Sequence, residues 1–301
     1  MHNSATVILR IAATPILLAA MLLLCALMPA QAGTERGHGL LWEILGDGAP
    51  PSYLFGTIHS EDPQVLRLAA PVRQAFDDAD SVVLEVMMDT EAMVHSSSAM
   101  LMTDGRLLSD IIGQSLFEKT ARAVSARGIP EVVLERMKPW AVATTLSMPL
   151  PETGMVLDLK LFQAAEQAGK QLHGLETIRE QLDVFETMPE GDQVVLLKDA
   201  VDKLEVIDDM NAALLSAWKR RDLAAMMAIS DDAMQSGDQR IARDFEQRLI
   251  IDRNRLMAER IEPHLERGGA FIAVGALHLP GDDGLLNLLE RRGYTPVSYT
   301  H

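Results

Sequence analysis

The chain contains a single cysteine, Cys25, among its 301 residues. One thiol excludes a disulfide framework within the chain, and it also excludes a cysteine-rich zinc or iron–sulfur site. Positive charge is scarce as well: 27 lysines and arginines stand against 43 aspartates and glutamates, a formal net charge of −16. Nucleic acids and anionic membranes attract clustered basic residues, so this acidic balance argues against both as partners.

Several common motifs of nucleotide-binding proteins and hydrolases are also missing. The sequence has no P-loop, no GxGxxG dinucleotide motif, no GxSxG nucleophile elbow and no HExxH metalloprotease helix. The hydrophobic fraction of 48% excludes a wholly disordered chain. The length leaves room for one large domain or two small ones, with a sizeable core in either case.

The first 32 residues have the order of a secretory signal peptide. A weakly basic start over 1–10 precedes an apolar run over 11–27, and Pro29–Ala32 supplies a small-x-small cleavage pattern. Cleavage after Ala32 leaves residues 33–301 without cysteine, which suits an oxidising compartment, so we expect export to the periplasm or the cell exterior. Two alternatives stay open: an uncleaved run that anchors the protein in a membrane, and lipidation at Cys25.

Alternating strands and helices predict an α/β domain over residues 33–301. The expected sheet is mixed or mostly parallel, is built from both chain ends and is flanked by helices. The predicted strands are Leu40–Leu45, Tyr53–Phe55, Ser81–Val86, Leu172–Glu176, Ala270–Gly275 and Tyr294–Tyr299. Apolar spacing predicts one helix over Val65–Ala79, and large helical insertions over about 90–150 and about 190–265.

Two apolar strands run into the same short motif, glycine followed by two residues and a histidine. The motifs are Gly56–His59 and Gly275–His278. We expect each glycine to let the chain turn sharply as it leaves the sheet, so that the histidine lies over the strand's carboxyl end. In open α/β sheets, binding and catalytic sites form at that edge. Either histidine taken alone is more often a capping or surface residue, and only the matched pair favours a site.

Carboxylates end two further predicted strands. Glu85 ends the strand over 81–86, and His173 and Glu176 lie at the end of the strand over 172–176. Two neutral imidazoles and a carboxylate can bind a divalent metal, or they can share proton transfer without one. Glu85 could instead face water, and for Glu176 we favour a structural role as a charge at the start of the next helix.

Arg253 and Asn254 lie on a predicted helix just before the last histidine-bearing strand. Charge on a helix usually belongs to a solvated face. Asparagine, however, is a poor residue for a helix interior unless its side chain has a partner. An arginine beside the sheet edge could bind a carboxylate or polarise a carbonyl.

These motifs together resemble the TraB/PrgY/GumN family, which includes the Tiki metalloproteases and is distantly related to erythromycin esterase and ChaN-like proteins. The similarity covers about residues 40 to 299. The segments that carry it are Leu41-Trp42, Tyr53–His59, Val83–Glu85, Lys138–Trp140, Gly174–Thr177, Arg253-Asn254, Val274–Gly281, Gly284–Leu286 and Gly293-Tyr294. As an exported chain it resembles the bacterial GumN-like branch, and the resemblance implies an EreA/ChaN-like fold.

The resemblance implies a site that collects His59, Glu85 and His278, with Arg253 and Asn254 nearby. By analogy with the Tiki branch, the two histidines and Glu85 would hold a divalent metal or its water, with manganese or cobalt ahead of zinc. Glu85, Arg253 and Asn254 would be the catalytic residues, with Arg253 stabilising an oxyanion or binding a substrate carboxylate.

The expected activity is hydrolysis of an exported peptide or protein, without nucleic acid and without stable membrane insertion once the leader is removed. Two other functions stay open. The PrgY and TraB branches imply a peptide-binding or sequestering protein, and the erythromycin esterase relatives imply metal-free hydrolysis of an ester.

Overall fold

The structure of the protein, a computed structural model, describes residues 36–235 and 237–299. The predicted signal peptide and Cys25 lie outside these residues. None of the helices in the described ranges is both long and apolar enough to cross a membrane. Two compact units are present: residues 89–154 with 178–211, here called the helical unit, and residues 36–88, 155–177 and 212–299, here called the sheet unit. The prediction of one domain over 33–301 stays a prediction.

The sheet unit is built on a mixed sheet with the strand order β4-β3-β5-β2-β1-β6. Its strands are β1 Leu41–Leu45, β2 Ser52–Thr57, β3 Ser81–Val86, β4 Gln171–Glu176, β5 Ala270–Gly275 and β6 Thr295–Ser298. The four strands β4, β3, β5 and β2 are parallel, whereas β1 and β6 are antiparallel to their neighbours. The predicted α/β class, with a mixed sheet drawn from both chain ends, is confirmed.

The two middle strands of the four parallel ones, β3 and β5, are almost entirely buried. Both are mostly apolar, and such runs occupy the middle of parallel sheets because both faces are covered. The register sets Thr57 of β2 level with Gly275 of β5, and Val86 of β3 level with Glu176 of β4. The carboxyl ends of all four parallel strands therefore meet at one edge of the sheet.

The prediction of one helix over Val65–Ala79 is wrong, because the chain forms two helices there, α1 Pro63–Leu66 and α2 Ala70–Asp78. Pro71 lies in the first turn of α2. At that position its missing N–H needs no partner, whereas inside a longer helix its ring would clash with the preceding turn.

The helical unit comprises shorter helices. Its first segment contains α3 Thr90–Ala99, α4 Leu108–Ile112, α5 Gln114–Ser125, α6 Glu131–Leu134 and α7 Pro139–Ser147. The chain then forms α8 Leu157–Gln167, which belongs to the sheet unit. The second segment of the helical unit contains α9 Ile178–Glu186 and α10 Glu190–Asp202. The segment Lys138–Trp140 leads into α7, and its tryptophan is packed. Trp140 stacks on Phe185 with ring centroids 5.4 Å apart, and its Nε1 donates to Glu186 at 3.0 Å.

The C-terminal part of the chain is largely helical until the last strands. It contains α11 Leu204–Lys219, α12 Leu223–Gln235, α13 Gln239–Glu246, a π-helix over Gln247–Asp252, α14 Arg253–Arg267, a 3₁₀ turn over Ala276–His278 and α15 Leu285–Arg291. The π-helix leads directly into α14. Such widened turns inside helices often occur at functional sites, because they change which residues face inward.

Gly56 lies within β2 and does not turn the chain, so the predicted reason for its presence is wrong. Its φ is not among the positive values of the described residues. What requires glycine is a close approach: a Cβ there would lie 2.8 Å from Leu279 Cδ1 and 3.0 Å from Ala276 Cα. The two glycine–histidine motifs thus touch through their backbones.

We expect Gly56→Ala to destabilise the protein by about 1–3 kcal/mol, because the added methyl overpacks the contact with Ala276. Gly191→Ala is the matched control, since a Cβ at Gly191 meets nothing within 4 Å in the first turn of α10. Urea unfolding of both variants measures the difference. Equal stabilities for the two variants would show that the close approach has no energetic consequence.

Candidate functional site

Acidic and imidazole side chains gather where the parallel strands end. Glu176 is the last residue of β4, Glu85 the penultimate residue of β3, His278 follows β5, and His59 follows β2. All four are buried, with at most 6% of each residue exposed. All belong to the sheet unit. The carboxyl edge of the sheet is therefore a closed, polar cluster rather than a solvated rim.

Arg253, the first residue of α14, joins two of the strand ends. Its Nε donates to both carboxylate oxygens of Glu176, at 2.9 and 3.0 Å. Its Nη2 donates to Glu176 at 2.5 Å and to Glu85 Oε2 at 3.0 Å. Our interpretation of Glu176 as a helix-terminal charge omitted this ion pair. The guanidinium neutralises two carboxylates that would otherwise repel each other in a buried place.

Asn254, the next residue, orients His278. Its Nδ2 donates to the carbonyl of Asp283 at 2.8 Å, which leaves its Oδ1 to accept from His278 Nδ1 at 2.5 Å. This arrangement assigns the proton to Nδ1 and leaves the Nε2 lone pair open. Burial holds the pKa of His278 well below its ordinary value, and the charge of Arg253 acts in the same direction, so the ring is neutral.

Glu85 and His278 form one close pair of the site. His278 Nε2 lies 3.9 Å from Glu85 Oε1 and has no hydrogen-bond partner in the part of the chain that is described. Glu85 Oε1 in turn accepts from the backbone N–H of Gly275 at 2.5 Å. Burial raises the pKa of Glu85 to about 7, although the guanidinium of Arg253 acts in the opposite direction.

His59 forms a second pair with a residue that the sequence analysis missed, Asp158. The Oδ2 of Asp158 lies 3.9 Å from His59 Nδ1, and its Oδ1 accepts from the hydroxyl of Thr57 at 2.8 Å. A sequence signal for Asp158 existed. It lies three and four residues before the buried Leu161 and Phe162 of α8, so it is a carboxylate on the apolar face of a helix.

The charges of the cluster do not balance. The described cluster holds three buried carboxyl groups, Glu85, Glu176 and Asp158, and one buried guanidinium, that of Arg253, which contacts the first two, while His278 is neutral. Glu176 and Asp158 each raise the pKa of Glu85, which shows that the three groups interact. Burial raises the pKa of Asp158 to about 6, against the opposing hydrogen bond from Thr57. An excess of buried negative charge beside the neutral imidazole of His278 favours the binding of a cation.

The donor chemistry suits a divalent metal, because imidazole nitrogen and carboxylate oxygen are ligands of zinc, manganese and cobalt. His278 in particular carries the outer hydrogen bond that metal-binding histidines need. Within residues 36–235 and 237–299, however, no group of three or more His, Cys, Asp or Glu is arranged so that it could hold a metal. The structure brings Glu85 to His278 and His59 to Asp158. The three-ligand set of His59, Glu85 and His278 stays a prediction.

The fold and the site define the class of this molecule: an α/β protein with a buried histidine–carboxylate cluster at the carboxyl edge of its parallel strands. Comparison with known sequences identifies the family. Residues 40–298 match the TraB/PrgY/gumN family, and the chain belongs to that family.

The curated relatives are Tiki proteins. The chain is 26% identical to "Metalloprotease TIKI1" of Danio rerio, in an alignment that covers 85% of this chain and 62% of the relative. It is 25% identical to "Metalloprotease TIKI1" of Homo sapiens, with 90% and 63% covered, and 21% identical to "Metalloprotease TIKI homolog" of Amphimedon queenslandica, with 93% and 66% covered. The chain thus spans about three fifths of the length of the first relatives. No solved structure gives a significant match.

The raised pKa of Glu85 predicts a pH dependence of the stability of the metal-free protein. The folded state holds the proton more tightly than the unfolded chain does. The contribution of protonated Glu85 to the free energy of unfolding is therefore fully present below the ordinary pKa of 4.5. It is lost as the pH rises through the folded-state pKa of about 7. Glu85→Gln mimics the protonated form, so we expect it to gain stability over the wild type as the pH rises, by on the order of 1–3 kcal/mol.

Denaturant unfolding in a chelating buffer, between about pH 5 and about pH 8, measures this difference. Glu118→Gln is the control, because Glu118 is exposed on α5. A stability difference between Glu85→Gln and the wild type that does not change with pH would contradict the prediction.

Proposed function

We propose that this protein is a metal-dependent hydrolase of peptide bonds. The observation that carries the proposal is the state of His278: buried, neutral, held at Nδ1 by Asn254, and with Nε2 open beside Glu85. A structural histidine in a core would be expected to use both ring nitrogens in hydrogen bonds. The names of the relatives, which are metalloproteases, support the same chemistry.

His59, Glu85 and His278 would hold the metal. When bound, a divalent ion lowers the pKa of a water molecule and polarises the carbonyl under attack. Manganese or cobalt are the expected ions, with zinc as the next candidate, because a mixed set of imidazole and carboxylate accepts all three.

The other residues of the cluster support this site. Asn254 keeps the Nε2 of His278 available as a ligand. Arg253 fixes the carboxylate of Glu85 through its Nη2 and keeps Glu176 from repelling it. Through these contacts, Arg253 would influence the reaction indirectly, by holding Glu85 in place. A direct contact between Arg253 and the oxyanion would be a second role.

The substrate would be an exported peptide or protein. This part of the proposal rests on the signal-peptide pattern of residues 1–32 and on the family. The same pattern would place the mature protein in the periplasm or outside the cell.

The test uses the full chain, expressed with its own leader and purified without chelators. We expect manganese, cobalt or zinc to raise the melting temperature of the wild type, and the metal-loaded protein to cleave members of a peptide library. His59→Ala and His278→Ala should lose both the metal-induced shift and cleavage. His38→Ala is the matched control, since that side chain is 70% exposed, and it should behave as the wild type.

The outcomes separate the three functions. If no divalent ion stabilises the wild type, the metallohydrolase proposal is wrong. Chelator-resistant ester cleavage would then favour the metal-free hydrolase. Metal binding with peptide affinity but no cleavage would favour the sequestering protein.

A further inference from the structure

The side chain of Asp158 makes one conventional hydrogen bond and leaves its other oxygen next to His59. Its Oδ1 accepts from Thr57 at 2.8 Å. Its Oδ2 is buried, accepts no hydrogen bond from the described residues, and lies 3.9 Å from His59 Nδ1. A buried carboxylate oxygen without a hydrogen bond is unfavourable, so its position requires an explanation.

A purely structural role explains only part of this geometry. Asp158 lies in the first turn of α8, where the helix dipole favours a negative charge. That effect would be available on the solvated face of the helix, with no cost of burial. Asp158 instead faces inward, with 5% of the residue exposed, and places its second oxygen at the ring of His59.

The other glycine–histidine motif has the same construction. Asp158 in α8 and Asn254 in α14 each place a side-chain oxygen toward the Nδ1 of a histidine that follows a parallel strand. For His278 the oxygen belongs to an amide at 2.5 Å. For His59 it belongs to a carboxylate. Since β2 and β5 are neighbours, two adjacent strand ends each carry a histidine whose Nδ1 faces a side-chain oxygen from a helix.

We propose that Asp158 is the positioning residue of His59: the negative charge of its Oδ2, 3.9 Å from Nδ1, favours the tautomer protonated at Nδ1, so that Nε2 is the nitrogen offered to the metal, and Thr57 holds the carboxylate in place. The inference rests on the proposed function. A carboxylate behind a metal-binding histidine fixes the tautomer and the ring orientation, and makes the ring a stronger ligand.

Asp158→Asn tests the inference with almost no change of shape. The amide oxygen would still accept from Thr57, which turns the NH₂ group toward His59 Nδ1. Nδ1 must then accept, and the proton moves to Nε2, the wrong nitrogen for metal binding. We expect the affinity for manganese, cobalt or zinc to fall by about 10- to 100-fold, and the melting temperature of the metal-free protein not to fall.

Two further measurements separate positioning from structure. Nitrogen NMR of the metal-free protein should show His59 protonated at Nδ1 in the wild type and at Nε2 in Asp158→Asn. Thr57→Val should weaken metal binding, and Thr57→Ser, which keeps the hydroxyl, should restore it. Asp47→Asn, at an exposed turn residue, is the control and should match the wild type in every measurement.

The two ways of failing are distinguishable. If the wild type binds no divalent metal, the proposed function fails and the role of Asp158 fails with it. If the wild type binds metal, and Asp158→Asn binds it equally well with His59 in an unchanged tautomer, then the inference about Asp158 alone is overturned.

Discussion

The ion triad of Arg253 with Glu176 and Glu85 is the interaction on which the site depends. Two carboxylates at the ends of neighbouring strands, both buried, cannot be ionised side by side without a cation between them. Arg253 supplies that cation from a helix 77 residues further along the chain than Glu176. Removing it would leave two uncompensated buried charges, which is far more damaging than replacing the whole group with apolar residues. The triad therefore fixes α14 to β3 and β4, and it fixes Glu85 at the same time.

The start of α14 performs two tasks with adjacent residues. Arg253 forms ion pairs with Glu85 and Glu176, and Asn254 accepts a hydrogen bond from His278; both residues are buried. Neighbouring residues on a helix point about 100° apart, so Arg253 and Asn254 together present a broad part of the helix surface to the cluster. The π-helix immediately before Arg253 shifts the phase of the turn that leads there. One turn of a continuous helical run thereby neutralises the carboxylates at two strand ends and sets the tautomer of the histidine that follows a third strand.

Much of the fold could be predicted from local pattern, and the site could be predicted only in part. The bounds of β3 and β5 match the predicted runs at 81–86 and 270–275, because each is a short, mostly apolar stretch of strand length. The predicted single helix over 65–79 is wrong because the prediction rested on apolar spacing and did not take Pro71 into account. Asp158 was overlooked although its place on the apolar face of α8 was visible. The pairing of Glu176 with Arg253 could not be predicted by any local rule, since strand order decides which distant residues meet.

The contact between Gly56 and Ala276 has a mechanical consequence. The backbones of the two histidine-bearing segments touch, and β2 and β5 pair from Tyr53 to Thr57, so the two strand ends are coupled to each other. We therefore expect the two strand ends to move together. Asp158, Arg253 and Asn254 reach these strand ends from two helices through their side chains. A substitution that displaces one histidine is thus expected to displace the other, even though 219 residues separate them in the chain.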